Sequence, residues 1–430
     1  MAQLTSLLWW VGGVILVAWA VMLLILYFRG AFRDRIDYKA KNVPRPEERH
    51  FAVALASLSN SLGTTGRVTG FWVEADEIQS VRLEAIRIAQ RTIHFETFFM
   101  TPGRRANDFA AAIAERAAAG VEVQLLVDSY GTKTLSKKYW RRLRATGVEV
   151  RFFKPFSWKA PLDYTGRTHR KLLLVDGKVA LIGGAGISDF WDGMKKFGDT
   201  APWFDFEFRL EGAVVSNLEG MFMQHWASTG GTANLGVDIF NPETPPDPLI
   251  LVTPGEDPSY SSSSIKALFT TSIFATRERV WVSSPYFLPD HQLRQALIIT
   301  KKQGADVRIL TCGPRNDKKL VYYAAVELYH DLLAAGIQIY EYQPSMLHAK
   351  ILLIDDQWVS TGSANFDPRS FFHNDELNIS TAQPQMVQHI EQLFRIGFDR
   401  SKLVSMTDWR TRSLWKRIVG RFVLFFQSQL

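Results

Sequence analysis

The amino-acid sequence predicts an α/β fold built from two tandem lobes. Stretches with helical periodicity cover 76–90, 107–119 and 136–146, and the last two end directly before a glycine. Short, β-branched apolar runs lie between these stretches, and alternation of this kind is typical of a sheet covered by helices. The same pattern recurs in the second half of the chain, so one α/β unit appears twice.

A short motif occurs once in each half: histidine, any residue, lysine, four further residues, aspartate, and then a glycine-rich turn. Its members are His169, Lys171, Asp176 and Gly183–Gly184 in the first copy, and His348, Lys350, Asp355 and Gly362–Ser363 in the second. Side chains two apart on a strand point the same way, so each His–Lys pair can face one phosphate. We expect the two copies to form one site. The alternative is two unrelated core strands, each preceded by histidine.

Other segments repeat at similar spacing. Residues 120–128 (GVEVQLLVD) resemble 304–312 (GADVRILTC), 184 positions later, and 147–153 (GVEVRFF) resemble 336–342 (GIQIYEY), 189 positions later. The two motif histidines are 179 positions apart. Offsets this close indicate a tandem duplication, with about ten extra residues just before the first motif histidine.

Two histidines and two lysines are the groups that metal-free cleavage of a phosphodiester requires: a nucleophile, an acid and fixed cations. One neutral imidazole attacks phosphorus and gives a phosphohistidine, while the other protonates the departing oxygen and then activates the incoming hydroxyl. Lys171 and Lys350 hold the phosphate oxygens, and Asn365 adds a neutral donor. We expect no metal and no cofactor, because each lysine would repel a cation and no cysteine or carboxylate has ligand spacing.

The N-terminus predicts a membrane anchor. Leu7 to Phe28 form an uncharged run of 22 residues, roughly 33 Å long as a helix, which matches the hydrocarbon thickness. The basic residues that follow it are Arg29, Arg33, Arg35, Lys39, Lys41 and Arg45. The positive-inside rule then predicts a single-pass protein of the cell inner membrane with its lobes in the cytoplasm. A cleaved signal peptide is the alternative, but no basic residue precedes the run and no small-x-small site follows it.

Composition suggests where the lobes divide. Clustered Gly, Pro and Ser at 228–264 break regular structure. The predicted segments are an anchor with a basic flank (1–45), a first lobe (46–230), a linker (231–264), a second lobe (265–408) and a basic amphipathic segment (409–430). The single cysteine, Cys312, has no partner for an intrachain disulfide and fits a reducing compartment.

Two further stretches suggest contact with lipid. Basic and aromatic residues alternate from Trp409 to Phe426, which suits an anionic lipid surface, although packing of a terminal helix on the second lobe is equally compatible. Phe156, Trp158 and Tyr164, in the extra stretch, either face lipid or form a packed loop. The net charge of +7 would also suit nucleic acid, but an anchored protein more naturally meets anionic membrane lipids.

With these motifs the chain resembles the phospholipase D superfamily and, within it, the bacterial cardiolipin synthases. The resemblance covers about residues 66 to 415. The segments that carry it are the second motif with 362–370 (GSANFDPRS) and 374–376 (NDE), the stretch 285–290 (PYFLPD), and 95–99 (FETFF).

The resemblance implies metal-free transfer of a phosphatidyl group from one phosphatidylglycerol to another, with release of glycerol. In that scheme His169 is the nucleophile and His348 the acid and base. Each histidine is oriented by a carboxylate further along the chain: Glu376 matches this position in the second lobe, and Asp205, preferred to Glu207, matches it in the first.

The resemblance also implies that the motif aspartates, although counted with the catalytic set, are structural partners near the strand ends. Ser363 joins Asn365, Asp205 and Glu376 among the residues that bind phosphate or orient the histidines. One position departs from the family: Gly186 stands where asparagine is usual, so a side-chain donor is missing there.

Other functions use similar residues. A phospholipase D-type hydrolase that gives phosphatidic acid differs only in accepting water instead of an alcohol. A nuclease is disfavoured by the anchor. A membrane scaffold with a decayed site is suggested by Gly186 and opposed by the intact second copy of the motif.

Overall fold

The computed structural model describes residues 2–28, 30–161, 163–236, 239–240 and 247–430. Arg29 of the predicted basic flank, and residues 237–238 and 241–246 of the predicted linker, lie outside this set. The α-helices of the described residues are α1 Ala2–Phe28, α2 Phe51–Ser59, α3 Ala75–Ile88, α4 Arg104–Ala118, α5 Lys137–Arg144, α6 Val214–Ser228, α7 Ser264–Ala275, α8 His291–Lys302, α9 Lys319–Glu327, α10 Tyr329–Ala334, α11 Pro368–Phe372, α12 Pro384–Asp399, α13 Met406–Thr411 and α14 Leu414–Leu424.

The strands form two mixed sheets. They are β1 Leu62–Thr65, β2 Arg67–Trp72, β3 Thr92–Thr97, β4 Glu122–Asp128, β5 Glu149–Phe153, β6 Lys171–Val175, β7 Val179–Gly183, β8 Glu207–Glu211, β9 Leu249–Gly255, β10 Arg279–Ser284, β11 Asp306–Cys312, β12 Gln338–Tyr342, β13 Ile351–Ile354, β14 Trp358–Gly362, β15 Glu376–Thr381 and β16 Ser401–Leu403. The first sheet has the order β2-β8-β7-β6-β3-β4-β5, and the second β1-β9-β15-β14-β13-β10-β11-β12-β16.

The two sheets share a six-stranded pattern, which is the duplication seen in the sequence. In the first lobe β3, β4 and β5 are parallel, while β6, β7 and β8 are antiparallel to their neighbours. The second lobe repeats this with β10, β11 and β12, and with β13, β14 and β15. The predicted class, two tandem α/β lobes with mixed sheets, is confirmed.

The lobes are joined through a common apolar core. It contains Phe206 and Phe208 from the first lobe, with Leu353 and Leu377 from the second. Separate clusters lie on the outer side of each sheet. Burial of this central apolar layer holds the two lobes face to face, and the site described below lies where they meet.

The predicted lobe boundaries differ from the sheets. Strand β9 lies inside the predicted linker 231–264, buried between β1 and β15. Strand β1, assigned to the first lobe, belongs to the sheet of the second. The Pro and Ser clusters on either side of β9 interrupt regular structure, but the apolar run between them is long enough for a buried strand.

The N-terminal helix α1 contains one stretch, Trp9–Tyr27, that is long and apolar enough to span a membrane. The segment after it is fixed to the second lobe. The backbone N–H of Ile36 donates to the carbonyl of Tyr260 at 2.7 Å. The buried Lys266 donates from Nζ to the carbonyl of Ile36 and contacts Asp37 Oδ1 at 3.2 Å.

The C-terminal helix α14 packs on α9, so one of the two alternatives for this segment is realised. Just before it, Trp409 Nε1 donates to the carbonyl of Val326 at 2.8 Å and Arg412 pairs with the buried Glu327 at 2.7 Å. The other face of the helix stays uncovered. Its exposed apolar residues, with Phe425 just beyond it, are Leu414, Trp415, Ile418, Phe422 and Phe425.

Candidate active site

Two short β-bridges between the lobes bring the motif copies together. Thr168 pairs with Asp375, and Phe204 pairs with Leu347. The backbone N–H of His169 donates to the carbonyl of Asp375 at 2.8 Å, and that of His348 donates to the carbonyl of Phe204 at 2.8 Å. The segment that precedes β15 therefore lies beside the first histidine, and the segment that precedes β8 lies beside the second.

These bridges exchange the orienting carboxylates between the lobes. His169 Nδ1 lies 3.1 Å from Glu376 Oε2, and His348 Nδ1 lies 2.8 Å from Asp205 Oδ2. The sequence analysis matched each carboxylate to its own lobe, and the structure pairs each histidine with the carboxylate of the other lobe. The reason is that each histidine and its carboxylate come one residue after the two partners of a parallel bridge, so they lie side by side across it.

Both histidines are buried and held neutral. Burial lowers the pKa of His169 to about 4, against the attraction of Glu376. Burial, with the nearby Lys350, lowers the pKa of His348 to about 3. In a neutral imidazole whose Nδ1 faces a carboxylate, Nδ1 carries the proton and donates it, so Nε2 has a free lone pair. That nitrogen is available for phosphorus or for a proton.

The two motif lysines lie beside the histidines. Lys171 donates from Nζ to the carbonyl of His169 at 2.6 Å, and Lys350 donates to the carbonyl of His348. Burial, and then repulsion between the two ammonium groups, lowers the pKa of Lys171 to about 7. Burial lowers the pKa of Lys350 to about 8. Two cations buried this close together make a site that favours an anion.

Ser363 and Asn365 extend the site from the second glycine-rich turn. Ser363 Oγ donates to Glu376 Oε2, and the carbonyl of Ser363 lies 2.9 Å from His169 Nδ1. Asn365 is buried, and its Oδ1 has no hydrogen-bond partner among the residues that the structure describes. Because buried amides normally find partners, this side chain is free to bind a ligand.

The motif aspartates lie away from the site, at the far end of their strands, about 17 Å from the motif lysines at 3.3 Å per residue. Asp176 accepts from the backbone N–H groups of Gln90, Arg91 and Thr92, and Asp355 does the same for residues 277–279. The structure does not bring these two members of the predicted catalytic set to the histidines, and their contacts match the structural role that the resemblance implied.

Glu207, the alternative to Asp205, forms a buried ion pair with Arg82. Arg82 also donates to the carbonyls of Ala185 at 2.8 Å and Gly186 at 3.4 Å. The ion pair therefore holds the backbone of the first glycine-rich turn, which gives Glu207 a structural role. Asp205 is the carboxylate that contacts a histidine.

Comparison with known proteins identifies the family of this chain. The family model described as "Cardiolipin synthase, PLD-like domain" matches residues 83–189 and 269–396. Cardiolipin synthase A of Pseudomonas syringae pv. syringae is 30% identical, over 83% of this chain and 73% of that protein. A cardiolipin synthase of Geobacillus kaustophilus is 31% identical, over 81% of this chain and 70% of that protein.

The chain belongs to the cardiolipin synthase family. It is therefore a phosphatidyltransferase of the phospholipase D superfamily. A solved phosphatidylserine synthase of Haemophilus influenzae has the same fold, with a TM-score of 0.64 over 88% of this chain and 99% of that one, at 12% identity. A polyphosphate kinase of Porphyromonas gingivalis matches at a TM-score of 0.52 over 84% of this chain and 53% of that one, at 12% identity.

Two side chains of this family member at the site were not assigned a role from the sequence. Trp191 Nε1 donates to Asp205 Oδ2 at 3.0 Å, and Ser370 Oγ donates to Glu376 Oε1 at 2.7 Å. Both follow the glycine-rich turn of their lobe at the same interval, five residues after Gly186 and Asn365. That shared interval was visible in the sequence, but a tryptophan and a serine do not suggest a common role until both are seen to bind a carboxylate.

Proposed function

We propose that the protein makes cardiolipin from two phosphatidylglycerol molecules through a phosphohistidine on His169, with release of glycerol. The observation that carries the proposal is the pair of neutral imidazoles, each backed by a buried carboxylate and set beside two buried lysines. This set supplies a nucleophile, a proton carrier and fixed positive charge without other groups.

In the first step His169 Nε2 attacks the phosphorus of one phosphatidylglycerol. The bond between phosphorus and the headgroup glycerol oxygen breaks, and His348 gives that oxygen its proton. Glu376 stabilises the positive charge that develops on the imidazole of His169. The anionic phosphate, once bound, raises the proton affinity of His348 and so provides the acid form.

In the second step the headgroup hydroxyl of another phosphatidylglycerol gives its proton to His348. Its oxygen attacks phosphorus, the bond between phosphorus and nitrogen breaks, and His169 is regenerated with cardiolipin as product. The same residue acts as acid and then as base, as the symmetry of the two half-reactions requires. Lys171, Lys350 and Asn365 hold the phosphate oxygens in both steps.

Aromatic side chains favour an alcohol over water in the second step. The ring of Phe98 meets the ring of His169 edge-on at 5.2 Å, and Trp191 meets His348 in the same way at 5.3 Å. Apolar rings next to both imidazoles reduce access of bulk water. The lipid hydroxyl is then the better placed acceptor.

The active site is presented to the bilayer by three parts of the chain that meet on one face. At the end of α1, a Cβ on Gly30 would lie 2.6 Å from Tyr260 Cε2. Tyr260 Oη lies 3.1 Å from His373 Nε2, just before the bridge to His169, and 3.4 Å from Gln429 Nε2 near the C-terminus. The site, the anchor and the C-terminus therefore share one face, which we place at the cytoplasmic surface of the inner membrane.

Exposed apolar side chains mark that face. Trp158 is 87% exposed and Phe156 50% exposed, in the loop that leads to His169. Arg369 ties this loop to the C-terminus, because it donates to the carbonyls of Thr165 at 3.2 Å and Gln429 at 3.3 Å. We name Phe156 and Trp158, with the exposed residues of the C-terminal helix (Trp415, Ile418 and Phe422), the lipid-facing rim. Tyr164 is packed instead, edge-on against Phe156.

Incubation of the purified, detergent-solubilised protein with phosphatidylglycerol alone tests the function. We expect mass spectrometry to find cardiolipin and free glycerol in equal amounts. Labelled glycerol added to the reaction should appear in phosphatidylglycerol, because an alcohol discharges the intermediate in either direction. Phosphatidic acid as the dominant product, without glycerol exchange, would contradict the proposal and assign the protein as a hydrolase.

A further inference from the structure

The two orienting carboxylates are held differently, although the lobes are copies. In the second lobe Glu376 accepts from Ser363 Oγ and from Ser370 Oγ. In the first lobe the position that matches Ser363 is Gly184, which has no side chain to donate. Asp205 accepts a hydrogen bond from Trp191 Nε1 instead.

Trp191 matches Ser370 in the repeat, and its indole contacts both Asp205 and His348. Nε1 lies 3.0 Å from Asp205 Oδ2, the same oxygen that faces His348 Nδ1 at 2.8 Å. The indole ring also meets the imidazole of His348, with ring centres 5.3 Å apart and planes at 83°. Trp191 is 3% exposed, so the hydrogen bond is made away from water.

The glycines of the first turn lie against Asp205 and against the groups that surround the indole. A Cβ on Gly186 would lie 2.5 Å from the carbonyl oxygen of Phe99 and 3.2 Å from Cη2 of Trp191. A Cβ on Gly184 would lie 2.2 Å from Asp205 Oδ1. A side chain at 186, as at Asn365 in the second lobe, therefore meets the backbone of Phe99 first and also crowds the indole.

Donor and acceptor lengths also compensate between the lobes. The first lobe combines a long donor, Trp191, with a short carboxylate, Asp205. The second combines a short donor, Ser370, with a carboxylate one methylene longer, Glu376. The hydrogen bond between donor and carboxylate is 3.0 Å long in the first lobe and 2.7 Å in the second.

We propose that Trp191 is a positioning residue that sets the orientation and proton affinity of His348 through Asp205, and that its indole supplies the hydrogen bond to this carboxylate in a turn where Gly184 and Gly186 carry no polar side chain. The inference rests on the proposed transfer reaction. The first lobe then has a complete set of groups around His348, although Gly186 lacks the side chain that is usual in the family.

The variant Trp191→Phe keeps the ring and removes only the donor. We expect kcat to fall about tenfold to a hundredfold, as for loss of a hydrogen bond to a charged group. The limb of the pH profile that reports His348 should move to higher pH, because Asp205 without its indole donor attracts the proton of the imidazole more strongly. Thermal unfolding checks that the variant is folded.

Trp203→Phe is the matched control. Trp203 also lies near His348, but its Nε1 donates to Asp199 Oδ2 at 2.9 Å and not to Asp205. The same chemical change there should leave the pH profile in place. A pH shift of equal size in both variants would overturn the proposal, because it would reflect a general loosening of the aromatic cluster.

A rescue experiment tests the length compensation. Trp191→Ser alone should lose activity like Trp191→Phe, since serine is too short to reach Asp205. The double variant Trp191→Ser with Asp205→Glu copies the Ser370–Glu376 pair of the second lobe and should recover most of the lost kcat. A double variant no more active than Trp191→Ser, or a Trp191→Phe variant with the kcat and pH profile of the original protein, would overturn the inference.

Failure of the inference is distinguishable from failure of the proposed function. If the unaltered protein makes cardiolipin and Trp191→Phe behaves identically, only the role of Trp191 is lost. If the unaltered protein makes phosphatidic acid alone, the transfer reaction is lost, and the pH shift of Trp191→Phe still decides whether Trp191 positions His348 in hydrolysis.

Discussion

Single side chains divide the chemistry between the lobes, because each imidazole uses one nitrogen for its carboxylate and leaves the other for the reaction. The first lobe provides His169 and the carboxylate of His348, and the second provides His348 and the carboxylate of His169. Neither lobe therefore contains a complete half of the proposed mechanism. This is a physical reason for the duplicated unit to remain in one chain.

Removal of either imidazole should stop product formation. We expect His169→Ala and His348→Ala each to retain less than about one per cent of the activity, because one loses the nucleophile and the other the proton carrier. Thermal unfolding in detergent should show that both variants stay folded. More than this residual activity in both would contradict a two-histidine mechanism.

The lysines should make the reaction sensitive to alkali. The pKa of Lys171 is lowered to about 7 and that of Lys350 to about 8, so both lose their charge as the pH rises through this range. We expect kcat/KM to fall from pH 7 upward, since this ratio reports the free enzyme. Lys171→Arg keeps its charge here, and its remaining activity should fall less steeply. A flat profile up to pH 10 would count against a phosphate-binding role for the lysines.

At the residue scale the sequence predicted which side chains gather but not how they pair. The repeat placed His169, His348 and both lysines in equivalent positions, and the family resemblance added Asp205 and Glu376. The exchange of carboxylates depends on the register of two bridges between the lobes. Such long-range register leaves no periodic signal in either segment.

At the scale of elements, the motif aspartate is a turn residue. Asp176 and Gly177 have φ of 56° and 63°, and Asp355 and Asp356 have φ of 49° and 53°. Two left-handed residues in succession form the turn that joins two antiparallel strands with the correct twist, and aspartate tolerates this conformation. Its carboxylate then caps the start of the neighbouring strand, β3 or β10.

Loss of this carboxylate should affect stability and not chemistry. We expect Asp176→Ala and Asp355→Ala each to lower the free energy of unfolding by about 2 kcal/mol, because three backbone N–H groups lose their acceptor. Thermal unfolding measures the loss. Because the two aspartates make the same contacts in their lobes, the two variants should lose similar amounts of stability. A large fall in the kcat of folded protein, without loss of stability, would restore these residues to the catalytic set.

The elements themselves were largely predictable, with one exception. Helices predicted at 76–90, 107–119 and 136–146 appear as α3, α4 and α5, within a few residues at each end. Strand β9 was missed because proline and serine clusters flank it, and local composition there outweighs a single apolar run. Its place next to the edge strand of the second sheet is set by its contacts with β1 and β15.

At the scale of the whole molecule, we propose that the anchor, the aromatic loop and the C-terminal helix together orient the protein on a membrane. Sequence periodicity predicted an amphipathic C-terminal segment and left open whether lipid or protein covers it. The structure gives one face to α9 and leaves the other exposed. Packing on protein is therefore confirmed for one face, and contact of the exposed face with lipid stays a prediction.

The lipid-facing rim should enter the interface of an anionic bilayer. An environment-sensitive fluorophore at Trp158→Cys or Trp415→Cys should shift to the blue in proteoliposomes that contain phosphatidylglycerol, because it leaves water. The native Cys312 is buried and does not compete for the label. Ile88→Cys is the matched control, since Ile88 is 57% exposed at the opposite end of the first sheet. Equal spectra at all three positions would contradict this orientation.

The central claim is that the phosphatidyl group passes through His169 in a site built by both lobes. Its most direct test is an alkaline quench of the protein during turnover with phosphatidylglycerol, followed by mass spectrometry of its peptides. We predict a phosphatidyl adduct on the peptide that contains His169, absent without substrate and absent in His169→Ala. An adduct on His348 instead, or cardiolipin formed with no adduct on either histidine, would contradict the account.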